Sequence, residues 1–344
     1  MGGWDVYCAI CASNFKKRIV VDSDEESQNT YRADTIGESD TTWLGKVHGL
    51  GFNPDASGER KSFLTGPGRY SDYGILSLEP GDDHNVPTRS SEEPADFVAY
   101  NDPDGNQKPV FPVHAICYRD LLSRCIKDAK QETIDDDVLY TLFEGIVASN
   151  RWNRLDLDYG EPKPPKDQYW VSRKGEEALV TNPVQVPQLS SYLEKVQTIV
   201  SEDKESTECQ KPPSMVDVFD KLPNELRLEI LNLLPTASAL ALKAASWTML
   251  TTPLSWQQKL TSDMPWLWEF RDLEVDIYKS QKLNEKLYQV ISELDDKSRY
   301  KEEATDYIPG LVNRRRIWVV CESIRSLYLE KLEAAKDQKS ETAP

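Results

Sequence analysis

The sequence predicts an α+β fold, on three observations. From Thr42 to Leu78, short apolar runs alternate with Gly, Pro, Asn and Ser, the pattern of strands and turns. From His114 onward, apolar residues recur at helical spacing. The chain is 39% hydrophobic with 9 Trp and 15 Tyr, enough apolar surface for a sizeable core. Its 344 residues suit two or three domains. They divide as a mixed α+β domain over 1–200, a linker over 201–215, a three-helix module over 216–262, a C-terminal helical region over 263–335 and a disordered tail over 336–344.

Taken in order, residues 1–21 hold Trp4, Val6, Tyr7, Ile10 and Phe15 around two cysteines. The acidic stretch Asp22–Glu26 offers little to bury and reads as a loop. Trp43-Leu44, Val47, Leu50 and Phe52 read as extended, as do Tyr73, Ile75, Leu76 and Leu78, with residues 80–96 as an exposed loop. Ile116, Cys117, Leu121, Leu122 and Cys125 share a helical face that starts near His114. Thr133 with Asp136 three residues on has the form of an N-cap for a helix carrying Val138, Leu139, Leu142, Phe143 and Ile146. Pro162–Pro165 is extended, and Trp170, Val171, Leu179 and Val180 return to the core. Leu189, Tyr192, Leu193, Val196 and Ile199 mark a third stripe. Ser201–Glu208 contains no apolar residue and Pro212-Pro213 closes it, hence the linker.

Charge narrows the function classes. The net charge is −17, and an acidic surface repels phosphate backbones and anionic lipid. Neither nucleic acid nor membrane is expected as a partner. The runs Lys16-Lys17-Arg18 and Arg314-Arg315-Arg316 read as solvated faces or local ion pairs, with a targeting signal as the alternative. No stretch reaches the ~20 apolar residues of a membrane helix. The first residues show no basic head followed by an apolar run. Six cysteines in a chain of this length do not resemble a disulfide framework. The expected location is cytoplasmic, nuclear or both, where thiols stay reduced.

Cys8-x-x-Cys11 and His114-x-x-Cys117 each have the spacing of a zinc knuckle, and together they supply four ligands for a closed tetrahedral site. About a hundred residues separate the pairs, so they meet only through tertiary folding. Closing such a loop costs a few kcal/mol, because the cost grows slowly with length. A structural zinc supplies on the order of 10 kcal/mol at neutral pH. Phe15 and Tyr7 are expected to shield the metal, and Cys125 to point elsewhere. The alternative is that these cysteines are buried small hydrophobes beside a core histidine.

Pro223 stands where a helix begins, a position at which its missing N–H costs nothing. Leu222, Leu226, Ile230, Leu233 and Leu234 follow helical spacing, and Leu228 and Leu231 lie off that stripe. A short helix apolar on more than one side must bury itself twice, against its own domain and against something else. Pro235 stops it, and Thr236 or Ser238 caps a second helix rich in alanine, with Leu240, Leu242, Trp247 and Leu250 as its knobs. After Thr251-Thr252-Pro253, Trp256 and Leu260 begin a third.

The run Phe219-Asp220-Lys221-Leu222-Pro223-Asn224-Glu225-Leu226-Arg227-Leu228-Glu229-Ile230-Leu231, continued through Trp256, resembles the F-box, in the form found in filamentous fungi. That branch often continues into a segment such as Asp263-Met264-Pro265-Trp266-Leu267-Trp268-Glu269. The resemblance covers about 45 of the 344 residues. It implies a docking unit that binds a Skp-type adaptor and, through it, a cullin–RING ubiquitin ligase. The remainder of the chain would recognise and present a protein substrate. Leu222, Pro223, Leu226, Ile230, Leu231 and Leu234 match the family's apolar positions, and Trp256 its late aromatic. Ala244-Ala245-Ser246-Trp247 departs from the Cys or Arg with a basic neighbour that many members carry there. The alternative function is a non-catalytic scaffold of F-box shape without ligase engagement.

No Gly-x-Ser-x-Gly elbow, His-Glu-x-x-His helix or Walker loop is present, and no enzyme is expected. Asp102-Pro103-Asp104-Gly105-Asn106 begins like a calcium loop but has Gln107 and Val113 where Gly and Glu are required, so it reads as a turn. Gly66-Pro67-Gly68 and Gly81-Asp82-Asp83-His84 also read as turns. The later apolar residues, from Trp266 to Leu332, read as core that covers the back of the three-helix module and joins it to the N-terminal domain.

Overall fold

The computed structural model describes residues 5–16, 19, 21–22, 29–87, 94–101, 108–130, 133–147, 153–165, 168–202, 217–234, 236–251, 256–271, 281–302 and 306–341. It is α+β, with a curled antiparallel sheet and a majority of helix among its regular elements. The chain forms two compact units. Residues 1–185 with 300–344 make the first, and residues 186–299 the second.

In the first unit, β1 (Val21–Asp22) and β2 (Tyr31–Arg32) pair in parallel. A 3-10 turn over Glu38–Gly45 follows, so Trp43-Leu44, read as extended from the sequence, is helical. Both side chains are buried, and a single tight turn can bury adjacent residues that alternation in a strand would place on opposite faces. The sheet contains β3 (Val47–Phe52), β4 (Ser62–Leu64), β5 (Gly68–Tyr70), β6 (Ile75–Leu78), β7 (Ala95–Val98) and β8 (Phe111–His114). Strand β3 is central, pairing antiparallel with β4, β5 and β8. A parallel bridge between Ala99 and Val110 links the end of β7 to the start of β8, which curls the sheet back on itself. Such curvature needs close approach, and Gly51 provides it: a Cβ there would lie 2.2 Å from the Phe63 ring.

Helix α1 (Ser123–Lys130) follows a π-turn over Cys117–Leu122, in which the Ser123 N–H bonds the Tyr118 carbonyl five residues back. Helix α2 (Asp136–Gly145) is capped by Asp135, which accepts from the N–H groups of Asp137 and Val138, and not by Thr133 as the sequence suggested. A carboxylate directly before the first turn also suits the helix dipole.

The second unit opens with α3 (Leu189–Glu202). It continues through α4 (Asn224–Leu233), α5 (Thr236–Ala245), α6 (Trp247–Thr251), α7 (Trp256–Ser262), α8 (Trp268–Arg271) and α9 (Gln281–Lys297). The stretch predicted as one alanine-rich second helix is two, broken at Ser246. Asp217 explains the break: it accepts from the Phe219 N–H, the Ser246 hydroxyl and the Thr248 N–H, and so starts two elements at once. Those bonds hold its carboxyl well below the usual range. Trp266, Leu267, Trp268 and Phe270 are buried, as their core reading required. Tyr192 and Lys195 of α3 both reach Glu293 of α9.

Helix α10 (Pro309–Glu341) is about 50 Å long and belongs to the first unit. The expectation that residues 263–335 form one region behind the three-helix module is corrected here. Residues 263–299 stay with that module, and α10 packs on α1, α2 and the π-turn. Likewise α3, assigned by sequence to the N-terminal domain, belongs to the second unit. Residues 203–216, most of the predicted linker, lie outside the described residues, while Ser201 and Glu202 end α3. The backbone of 336–341, predicted as tail, is helical.

The Arg314-Arg315-Arg316 run is not a solvated face. Arg314 and Arg316 are buried, and Arg314 donates to the carbonyls of Pro183 and Val184. Lys16 does pair at the surface with Asp5, and Lys17 and Arg18 lie outside the described residues. No described helix is long and apolar enough to cross a membrane.

Two substitutions on α10 test this assignment. Ile317 is fully buried, so Ile317→Ala should cost ~2–5 kcal/mol in urea unfolding. Val319 is 51% exposed, so Val319→Ala should change stability by no more than about 0.5 kcal/mol. Equal effects would mean that α10 is not docked.

Candidate metal centre

Cys8, Cys11, His114 and Cys117 converge, all buried, with their ligand atoms within 4.8 Å of one another. The four form a cluster close enough to hold a metal ion. Cys11 Sγ lies 3.4 Å from His114 Nδ1, against about 3.6 Å for the S–N edge of a tetrahedron with zinc-like bonds.

Local geometry builds each half. Residues 8–13 make a tight turn in which the Ala12 N–H bonds the Cys8 carbonyl and the Cys8 N–H bonds the Ser13 carbonyl. Ala12 holds φ at +54°, a left-handed conformation that closes the turn at some steric cost. The Ser13 N–H points at Cys11 Sγ at 3.4 Å. The Ala9 N–H bonds the carbonyl of Pro112 on β8 at 2.8 Å, and this fixes the turn beside the second pair. His114 is the last residue of β8, and helical backbone begins at the next residue, Ala115. Its N–H points at Cys8 Sγ, 3.4 Å away. The π-turn begins at Cys117 and places its thiol in the cluster, a common use of a π-bulge at a functional site.

His114 Nε2 donates to the Asn14 carbonyl at 3.0 Å, which leaves Nδ1 as the unprotonated, ligating nitrogen in a loaded site. Phe15 lies against the imidazole with ring centroids 4.6 Å apart, as expected, and Trp43 at 4.5 Å takes the second position. Tyr7, expected to shield the metal, packs on Trp170 and under Arg154 instead. Cys125 is outside the cluster and receives Arg325.

Without a metal, the four groups share charge. Burial opposes ionisation of Cys11, yet hydrogen bonds from Cys117 and Cys8 and the charge on His114 hold its thiol well below the ordinary range. Burial also works against His114, but Cys11 and Cys8 beside it push its pKa up to about 10. Burial, aided by the neighbouring thiols, pushes Cys117 up. Burial lowers Arg316, and its attraction to Cys11, Cys117 and Cys8 opposes that fall.

Sequence reasoning missed Asn14, Trp43 and Arg316. Arg316 left a signal: a charged run lying between Val312 and Ile317-Trp318 on an apolar helix is placed for burial.

The residues expected at the adaptor face fall on and around α4. Pro223 is its N-cap, one position before the predicted place. Pro223 is exposed and Leu226 is 46% exposed, while Leu222, Ile230 and Leu234 are half-buried and Leu231 is buried. Val218 and Leu233, each 79% exposed, add apolar surface that the motif did not single out. Trp256 opens α7, and its side chain lies outside the described residues.

Elsewhere, His48 bonds the Thr65 carbonyl and His84 lies on an exposed turn. An open cleft of about 770 Å³ gathers Glu161, Glu176, Glu302, Lys163, Arg173 and Tyr300, with Arg173 paired to Glu176. The Asp102–Asn106 turn lies outside the described residues. No family model, curated protein or solved structure matches the chain.

The charge pattern sets a proton balance. At pH 7 the metal-free cluster holds protons on His114 and Cys117, and both must leave when a divalent ion binds. Titration calorimetry in buffers of different ionisation enthalpy should record about two or more protons released per ion. Affinity should rise with pH. Proton-neutral binding would contradict this arrangement.

Proposed function

We propose that the chain is an F-box-type substrate adaptor whose first unit is held by a structural zinc. In this reading the second unit binds a Skp-type protein through Leu222, Pro223, Leu226, Ile230, Leu234 and Trp256; Leu231, also matched by the motif, is buried and supports the face from within. Through that protein it joins a cullin–RING ubiquitin ligase, and the first unit presents the target. The observation that carries the docking reading is the exposure of apolar side chains around a short helix: Val218, Pro223, Leu226 and Leu233 face solvent while Leu231 anchors α4 in its own unit. A helix apolar on two sides, with one side covered from within, is suited to a partner on the other.

Zinc is the metal that suits the donor set. Three thiols and an imidazole form a soft, tetrahedral set, and all four positions come from protein. A filled set leaves no open position for substrate, so the centre serves stability and not catalysis. A reducing cytosol or nucleus would keep the thiols available.

Two measurements test this. Elemental analysis of the purified chain should find one zinc per chain, and its removal by chelation should lower the unfolding temperature. A chain purified without metal that neither takes up zinc nor gains stability from it would remove the centre from the proposal. For docking, Leu226→Ala and Pro223→Ala should each weaken binding to a Skp-type adaptor roughly thirtyfold, the value of a ~2 kcal/mol hot spot. Both side chains are exposed, so the variants should unfold like the parent. Unchanged affinity in the double variant would overturn the docking face. No binding by the parent chain would favour the scaffold without a ligase.

A further inference from the structure

Arg316 is a buried cation whose described hydrogen bonds all end on neutral acceptors. Nη1 donates to the carbonyls of Cys11 and Tyr159, at 2.9 and 3.1 Å. Nη2 and Nε donate to Oδ1 of Asn313, at 2.8 and 3.3 Å. No carboxylate pairs with it among the described residues. A guanidinium in the interior without a counter-charge costs several kcal/mol, a cost that a nearby anion would offset. Burial works against the charge of Arg316, and attraction to Cys11, Cys117 and Cys8 opposes that effect.

The metal centre has the opposite imbalance. A divalent ion with three thiolates and one neutral imidazole carries one net negative charge, buried where water cannot screen it. We propose that Arg316 is the built-in counter-cation of this centre, so that metal loading and docking of α10 stabilise each other. The proposal rests on the metal reading above and adds to it a residue nearly two hundred positions after the last ligand.

The surroundings show that the guanidinium is placed and not merely trapped. Asn313, one turn before it on α10, is itself fully buried and donates to the Thr181 carbonyl, which turns its oxygen toward Arg316. Asn313 thereby holds one edge of the guanidinium while the other reaches the Cys11 carbonyl. That carbonyl belongs to a ligand residue, so the same bond pins the first knuckle to α10. Arg316 is thus a positioning residue, acting on the metal through charge and through the Cys11 backbone.

The test uses the full chain with Arg316→Lys, which keeps the charge, and Arg316→Gln, which keeps a donor and loses the charge. Cobalt(II) serves as the spectroscopic probe, and zinc affinity is measured by competition with a chelator. The parent should show thiolate-to-cobalt charge-transfer bands with tetrahedral d–d bands. Arg316→Gln should bind about 10–100-fold more weakly, the usual range for loss of an outer-sphere partner, and Arg316→Lys should recover most of that loss. Equal affinity of parent and Arg316→Gln would overturn the proposal. Absence of thiolate–cobalt bands in the parent would overturn the metal reading itself, and the proposal with it. Should Arg316→Gln fail to fold, hydrogen exchange of the parent decides. Removing the metal should raise exchange in residues 309–321 as well as in 8–14. Unchanged protection in 309–321 would refute the coupling.

Discussion

The bond from the Ala9 N–H to the Pro112 carbonyl is the contact on which the candidate centre depends. It seats the 8–13 turn against β8, and β8 is itself held in register on β3, with Val47 opposite His114. Two ligand pairs about a hundred residues apart thereby meet without any long element to carry them. The sheet supplies the placement, so a bound ion need only close distances that are already short. Trp43 and Phe15 can flank the imidazole because the 3-10 turn carrying Trp43 leads into β3, which pairs with β8, and Phe15 follows directly on the 8–13 turn.

The second dependency runs to α10. Its buried side donates to three separate loop segments: 181–184, through Asn313 to Thr181 and through Arg314 to Pro183 and Val184, and those of Cys11 and Tyr159, both through Arg316. These carbonyls lie in irregular chain, where backbone groups lack strand or helix partners and need side chains to satisfy them. Arginine is suited to this because one planar group serves several acceptors. The result is a polar seam inside an otherwise apolar interface, and it ties the start of the chain to residues beyond 300.

Parts of this were legible in the sequence for clear reasons. The Cys8/Cys11 and His114/Cys117 spacings stood out because ligand pairs two residues apart are demanded by the geometry of a knuckle, whatever the fold. The stripes at Leu189–Ile199 and Val138–Ile146 stood out because one face alone of each helix is apolar. Trp43-Leu44 was misread because two adjacent large apolar residues carry no period, and only tertiary contact selects a 3-10 turn over a strand. Asp135 was passed over for Thr133 because several side chains near a helix start compete for the same N–H groups, and backbone geometry chooses among them. The division of the chain could be read only in part. Periodicity reports that a helix has a face to bury and is silent on which unit buries it, so α3 and α10 were each assigned to their neighbours in sequence.

The unit formed by residues 1–185 and 300–344 is interrupted by residues 186–299, and this imposes an order on synthesis. At the usual ribosomal rate of 5–20 residues per second, on the order of ten to forty seconds separate the emergence of Cys117 from that of Arg316. Throughout that interval the nascent chain already has all four ligands and the sheet that gathers them, but lacks the helix that covers them. The intervening unit, contiguous in sequence, is free to fold first. A chain halted anywhere in that window would leave the ribosome with its knuckle uncovered and with Leu121 and Leu122 of its π-turn in water, which is the state that chaperones and quality-control proteases recognise.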